Sequence, residues 1–273
     1  MKKKILVTGG TDGIGLATAK FLCAEGHQIL LHGRNEDKLA KVKAELEEIA
    51  AGGSIQTYCA DLSNLSEVKA LADRVERDHA HIDVLINNAG LLKGPAPRTD
   101  DGYDFRFVVN AVAPYLLTQL LLPRLSSDSR VINLSSAAQA PVDIEALLGK
   151  GELADFDAYA QSKLALTMWS FDLAARLGAD GPAIIAVNPA SLLNSKMVRE
   201  STGAEGRDIG IGARVLGRAA LSDDFGDASG RYYDNDNEQF ANPHADALDS
   251  EKNREVVAAI EQVIADSVGR SSN

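Results

Sequence analysis

Thr8-Gly9-Gly10-Thr11-Asp12-Gly13-Ile14-Gly15 follows at once on the apolar run Ile5-Leu6-Val7 and leads into a helix-like stretch, Leu16 to Ala24. The apolar run is short and does not alternate, as expected of a strand covered on both faces. Glycines at the junction let the backbone turn tightly and approach a pyrophosphate, whose charge is met by unsatisfied N–H groups at the helix start. The spacing is G-x-x-x-G-x-G rather than G-x-G-x-x-G. Taken alone, such a turn favours nucleotide binding over a merely tight strand-to-helix connection.

The runs Ile29-Leu31, Val84-Ile86, Val131-Leu134 and Ile184-Val187 repeat the strand pattern, with helical patterns between them. Leu39, Val42, Leu46 and Ile49 recur at three- and four-residue spacing among Lys and Glu, and Val68, Leu71 and Val75 do the same. Each set gives a helix one face to bury. Strand alternating with helix predicts an α/β fold, a doubly wound Rossmann-type parallel sheet with ligands beyond the carboxyl ends of its strands. No linker or repeat interrupts the 273 residues, which predicts a single domain over 1–268 and a polar tail over 269–273. Phe105 to Leu125 and Tyr159 to Leu177 are nearly apolar helices; core packing or the interface of a homo-oligomer would satisfy either. Val256, Ile260 and Ile264 mark a last amphipathic helix.

A formal net charge of −11 opposes general affinity for nucleic acid or anionic membranes. The apolar run behind Met1-Lys2-Lys3-Lys4 stops at Thr8, too soon for a signal peptide. No run of ~18 consecutive apolar residues occurs, so no transmembrane helix is expected. Together these readings predict a soluble, cytoplasmic protein with no membrane partner. Cys23 and Cys59 read as free thiols of a reducing compartment. His79 and His81 form an H-x-H with no third ligand nearby, which reads as a solvated turn rather than a metal site.

T-G-x-x-x-G-I-G at Thr8 to Gly15, Asn87-Asn88-Ala89-Gly90 after the fourth strand and Tyr159-Ala160-Gln161-Ser162-Lys163 together resemble the short-chain dehydrogenase/reductase family. Asp61-Leu62 after the third strand, Asn110 in the long apolar helix and Ser135-Ser136 after the fifth strand extend the resemblance over almost the whole chain. It implies an oxidoreductase that moves hydride between a nicotinamide and a carbonyl or alcohol. It implies that Tyr159 exchanges the proton, Ser136 polarises the same oxygen, Lys163 also holds the nicotinamide ribose, and Asn110 holds a water for proton relay. Cofactor contacts are expected from Gly9, Thr11, Asp12, Gly13, Ile14, Gly15, Arg34, Asp61, Leu62, Asn88, Ala89, Gly90, Tyr159, Lys163 and Pro189. Tyr159 and Lys163, four apart, share a helix face. An adjacent ammonium is expected to favour phenolate and lower the pKa of Tyr159.

Ser136 and Tyr159 stand farther apart than in the core family pattern. The inserted Pro141-Val142-Asp143-Ile144-Glu145 stretch ending in Asp155-Phe156-Asp157, with Thr99-Asp100-Asp101-Gly102-Tyr103 leading into Phe107-Val108-Val109-Asn110, resembles the retinol-dehydrogenase-like branch and implies a small apolar aldehyde, ketone or alcohol as substrate. Asn188-Pro189-Ala190-Ser191 carries Ala where that branch usually has Gly. His32-Gly33-Arg34-Asn35 places no carboxylate where the adenosine ribose arrives, and Arg34 can pair with a 2′-phosphate, so NADP(H) is expected over NAD(H). Asp12 argues the other way, because some NADP-preferring relatives carry a basic residue there. An NADP-binding sensor or scaffold without turnover is the alternative. Retention of Ser136, Tyr159, Lys163 and Asn110 together weighs against it, and the lack of a G-x-S-x-G elbow removes a hydrolase.

Overall fold

Successive residues of a strand point to opposite faces, so an unbroken run such as Ile5-Leu6-Val7 is stable only where both faces are covered. The computed structural model, which describes residues 2–94 and 96–270, covers both faces of one eight-stranded sheet with helices. Leu6, Leu30, Leu85 and Val131 enter the core on one side of the sheet, while Ile5, Ile29, Val84 and Ile132 enter the core on the other.

The chain runs β1 (Lys4–Val7), α1 (Gly13–Ala24), β2 (Gln28–Gly33), α2 (Glu36–Ile49), β3 (Ile55–Cys59), α3 (Leu65–Asp78) and β4 (Val84–Asn87). It continues through α4 (Phe105–Phe107), a π-helical turn (Val108–Val112), α5 (Ala113–Leu121), β5 (Arg130–Leu134), α6 (Ile144–Leu147), α7 (Asp155–Leu177) and β6 (Ala183–Asn188). Then follow α8 (Lys196–Thr202), α9 (Gly210–Leu221), β7 (Arg231–Asp234), β8 (Gln239–Ala241) and α10 (Ser250–Arg270). The strand order is β3-β2-β1-β4-β5-β6-β7-β8. All neighbours are parallel except β8, which pairs antiparallel with β7. The order reverses between β1 and β4, which opens a crevice at their carboxyl ends.

Apolar runs located β1, β2, β4, β5 and β6 but not β7 and β8. Those two are four and three residues long and carry polar residues, so they lack an apolar run. Phe225, Tyr233 and Phe240 hold this hairpin, with ring centroids 4.9 to 5.2 Å apart. Leu39, Val42 and Leu46 bury the inner face of α2 as expected, whereas Ile49, at the helix end, is 43% exposed. The final helix takes in Gly269 and Arg270, where the tail was expected to begin; Ser271 to Asn273 lie outside the described residues.

Phe105–Arg124 corrects a second expectation, for by length and composition it is a helix apolar enough to cross a membrane. Asn110, Thr118 and Gln119 interrupt the apolar run without adding charge, so no long consecutive run occurs although the average hydropathy stays high. Of its most apolar window, 83% is buried inside the protein, against α3 and α7, which settles this stretch as core packing. His79 is not in a solvated turn: it is buried at the end of α3, with its Nε2 2.9 Å from the Tyr58 hydroxyl. His81 is exposed, and no cluster of metal-ligating side chains occurs among the described residues.

Candidate active site

The glycine turn lies at the switch point, between the ends of β1 and β4. Gly9 and Gly13 take φ of +64° and +55°, which residues with a Cβ rarely adopt. A Cβ on Gly9 would come within 2.9 Å of Ala89 Cα, and one on Gly15 would collide with Asn88 and with Gly9 itself. Asn88 closes the turn, donating from Nδ2 to Thr8 O at 2.8 Å, while the Asn88 and Ala89 amides donate to Thr8 Oγ1 at 3.0 and 3.1 Å. Asp12 caps α1, accepting from the Gly13 amide at 2.8 Å. The Ile14 and Gly15 amides find no acceptor among the described residues, so the helix start still offers donors to an anion. The cradle therefore fits a pyrophosphate.

His32, one residue past the apolar part of β2, is a member of this turn that sequence reasoning missed. Its Nδ1 accepts from the Gly9 amide at 3.2 Å and its Nε2 lies 3.0 Å from Ala60 O, which makes it a neutral ring protonated on Nε2. Burial pushes its pKa down from 6.5 to about 4, against the opposing bond to Ala60. The unfolded chain therefore takes up a proton below pH 6.5 that the folded one refuses until about pH 4, so stability falls as pH falls through that window. The full loss is on the order of 3 kcal/mol. In His32→Gln the melting temperature is expected to depend less steeply on pH between 6.5 and 4.5 than in wild type, and identical slopes would sink the assignment.

On the other side of the crevice, Ser136 follows β5 and Tyr159 and Lys163 lie on α7. The Ser136 hydroxyl stands beside the Tyr159 phenol, close enough to favour its ionised form. Lys163 Nζ sits 5.8 Å from the centroid of the Tyr159 ring and donates to Leu134 O at 2.7 Å. Burial lowers the Lys163 pKa from 10.5 to about 8, and burial raises that of Tyr159, with Ser136 pulling it partly back. The expectation that Lys163 lowers the phenol is thus reversed: desolvation raises it, and the opposing pull comes from Ser136.

Asn110 sits within the π-helical turn, 1% exposed. Its Oδ1 accepts from the Leu91 amide at 2.9 Å, and its Nδ2 lies within 3.0 Å of Leu91 O and 2.9 Å of Ser162 Oγ. Ser162 in turn donates to Tyr159 O at 2.7 Å, so the amide is coupled to the helix of Tyr159 and Lys163. Gly90 brings the two sides together: a Cβ there would lie 3.2 Å from Lys163 Nζ and 3.3 Å from Asn110 Oδ1. The missing side chain leaves a small space bordered by both polar atoms.

Arg34 stands at the far end of the crevice, exposed, with no ion pair or hydrogen bond among the described residues. Thr11 packs where a Cβ on Gly33 would lie, so the glycine turn and the Arg34 strand end are in contact. Asp12 is paired with Lys38 at 3.4 Å on the first turn of α2, a partner sequence reasoning did not weigh. Asp61 takes up the end of β3, binding the Ser63 hydroxyl at 2.8 Å, with Leu62 buried beside it. Pro189 is buried and its carbonyl accepts from Asn235 at 3.1 Å. Arg98 ties the two segments of branch resemblance together, donating to Gly102 O at 2.6 Å and to Gly149 O at 2.8 Å.

The family model described as short chain dehydrogenase matches residues 3–206. Human polyprenol dehydrogenase is 33% identical over 189 residues, which make up 66% of this chain and 57% of that protein. Human retinol dehydrogenase 13 is 29% identical over 265 residues, 89% of this chain and 80% of the relative. Among solved structures, a short chain dehydrogenase from Burkholderia cenocepacia in complex with NADP aligns with a TM-score of 0.68 at 26% identity, over 85% of this chain and 95% of the other.

Proposed function

The chain belongs to the short chain dehydrogenase family, and from that premise we propose that it transfers hydride between NADP(H) and a small apolar aldehyde, ketone or alcohol. The observation that carries the reading is the meeting of Ser136, Tyr159 and Lys163 beside a turn able to cradle a pyrophosphate. A bound nicotinamide supplies or accepts the hydride. Ser136 and Tyr159 donate hydrogen bonds to the carbonyl oxygen, where negative charge grows as the hydride arrives. Tyr159 then passes its proton to that oxygen. Lys163, still largely charged at neutral pH, holds the ribose and, with Asn110 Oδ1, borders the space through which a water returns the proton.

The apolar substrate class is supported by Phe156, which is 60% exposed with its ring centroid 6.5 Å from that of Tyr159. An exposed phenylalanine one turn from the reacting phenol offers apolar surface to whatever approaches it. A cytoplasmic location belongs to the same proposal, supported by the charge of −11 and by the burial of the membrane-length apolar helix Phe105–Arg124. Purified protein supplied with NADPH and a panel of apolar aldehydes and ketones is expected to consume the cofactor, read by nicotinamide absorbance. Tight NADP binding with no turnover anywhere in the panel would replace this reading with that of a sensor or scaffold.

NADP preference rests on Arg34, and Lys38 removes the objection posed by Asp12, since the carboxylate is already partnered. Charged hydrogen bonds are worth roughly 1.5–3 kcal/mol, so Arg34→Ala should weaken NADP binding by about tenfold to a hundredfold and leave NAD binding within about twofold. Cofactor titration by nicotinamide fluorescence reads both constants, and an unchanged ratio would overturn the assignment.

A further inference from the structure

Between β6 and α9 the chain leaves the sheet, forms α8 and returns through a narrow neck. The neck is made by backbone bonds: the Arg207 amide donates to Leu192 O at 2.7 Å and the Asn194 amide to Arg207 O at 2.8 Å. Within the loop that the neck closes, Ser195 Cβ lies 3.9 Å from where a Cβ on Gly13 would be, so the loop comes up against the glycine turn. The strand leading into the neck is strained. Ala190, where the branch resemblance expects glycine, has φ of +108°, a conformation that side chains with a Cβ disfavour.

One carboxylate grips both sides of this neck. Asp236, in the turn between β7 and β8, accepts from the Ser191 amide at 2.9 Å and from the Ser191 hydroxyl at 2.5 Å. It accepts from Arg207 at 3.1 Å on the returning strand, and from Asn188 Nδ2 at 3.0 Å at the end of β6. Ala190 is thus bracketed by two residues that Asp236 binds. The family match ends at residue 206, so Arg207 and Asp236 both stand beyond it.

We propose that Asp236 is a positioning residue that latches the 191–207 loop against the cofactor turn, replacing with side-chain bonds the backbone freedom that glycine at position 190 would give. Its effect on cofactor rests on the functional reading above; its effect on the loop does not. Without Asp236 the turn still holds Pro189 through Asn235, but among the described residues no other side chain of the turn holds Ser191 or Arg207, so Ala190 relaxes, the neck opens, and Ser195 withdraws from the glycine turn. A glycine at 190 adopts the same φ without strain and keeps the neck closed unaided.

The test is hydrogen exchange at the Asn194 and Arg207 amides, the two donors that close the neck, with NADP affinity measured on the same proteins. In Asp236→Ala both amides are expected to exchange at least about tenfold faster, and NADP to bind about tenfold more weakly. Asp236→Asn, which keeps the volume but loses the charge facing Arg207, is expected to fall between and stands in should the alanine variant not fold. Adding Ala190→Gly to either variant should return exchange and affinity to within about threefold of wild type, a rescue that a general loss of stability would not show. Wild-type exchange in both Asp236 variants, or no rescue by glycine, overturns the latch. Failure of the wild-type protein to bind NADP would overturn the functional reading instead, with the exchange data still deciding the latch.

Discussion

Tyr159→Phe is expected to lose about 10²–10⁴-fold in kcat, the usual worth of general acid–base catalysis, while NADP affinity stays within about twofold. Phenylalanine keeps the ring that Phe156 and Lys163 face and removes only the hydroxyl beside Ser136. Burial holds the phenol above its ordinary pKa of 10, so at neutral pH Tyr159 carries the proton that a carbonyl must receive. The effect should therefore appear in both directions and persist across the neutral range. Steady-state rates with one active carbonyl, beside cofactor titration of the same variant, separate the two quantities. Turnover near the wild-type rate would remove Tyr159 from the chemistry.

Much of this arrangement was legible in the sequence because its signals are local. A strand, a glycine turn and a helix follow one another without interruption from Ile5 to Ala24, and Tyr159 and Lys163 share a face by helix geometry alone. The hidden parts depend on contacts between segments far apart in the chain. His32 looked like the end of a strand, and only the fold sets its ring between Gly9 and Ala60. Asp236 lies in a run of Asp and Asn that reads as an ordinary turn, yet it binds Ser191, 45 residues away. The pKa of Tyr159 was misjudged for a related reason: spacing shows that an ammonium is near but not that both groups are withdrawn from water.

The same withdrawal makes Lys163 a residue kept at a cost to stability. It is 3% exposed, with one hydrogen bond from its ammonium among the described residues, to Leu134 O, and its pKa is lowered to about 8. The unfolded chain holds its proton more tightly, up to about pH 10.5, so in the folded protein the charged amine costs up to about 3 kcal/mol at neutral pH, a cost relieved as pH rises above 8. Lys163→Met keeps the aliphatic stem and removes the charge, but leaves Leu134 O without this donor, which takes back roughly 1–3 kcal/mol. The melting temperature of the cofactor-free variant at pH 7 should therefore equal that of wild type or exceed it by about 2–4 °C. Its kcat should nevertheless fall by about 10²-fold or more, and unlike Tyr159→Phe it should also bind NADP about tenfold more weakly, because the ammonium is assigned to the ribose as well as to the return of the proton. A variant that melts well below wild type would show that Lys163 is a structural residue and its loss of activity a consequence of damage. One that is at least as stable, slow and weak in cofactor binding would show a buried charge retained for catalysis.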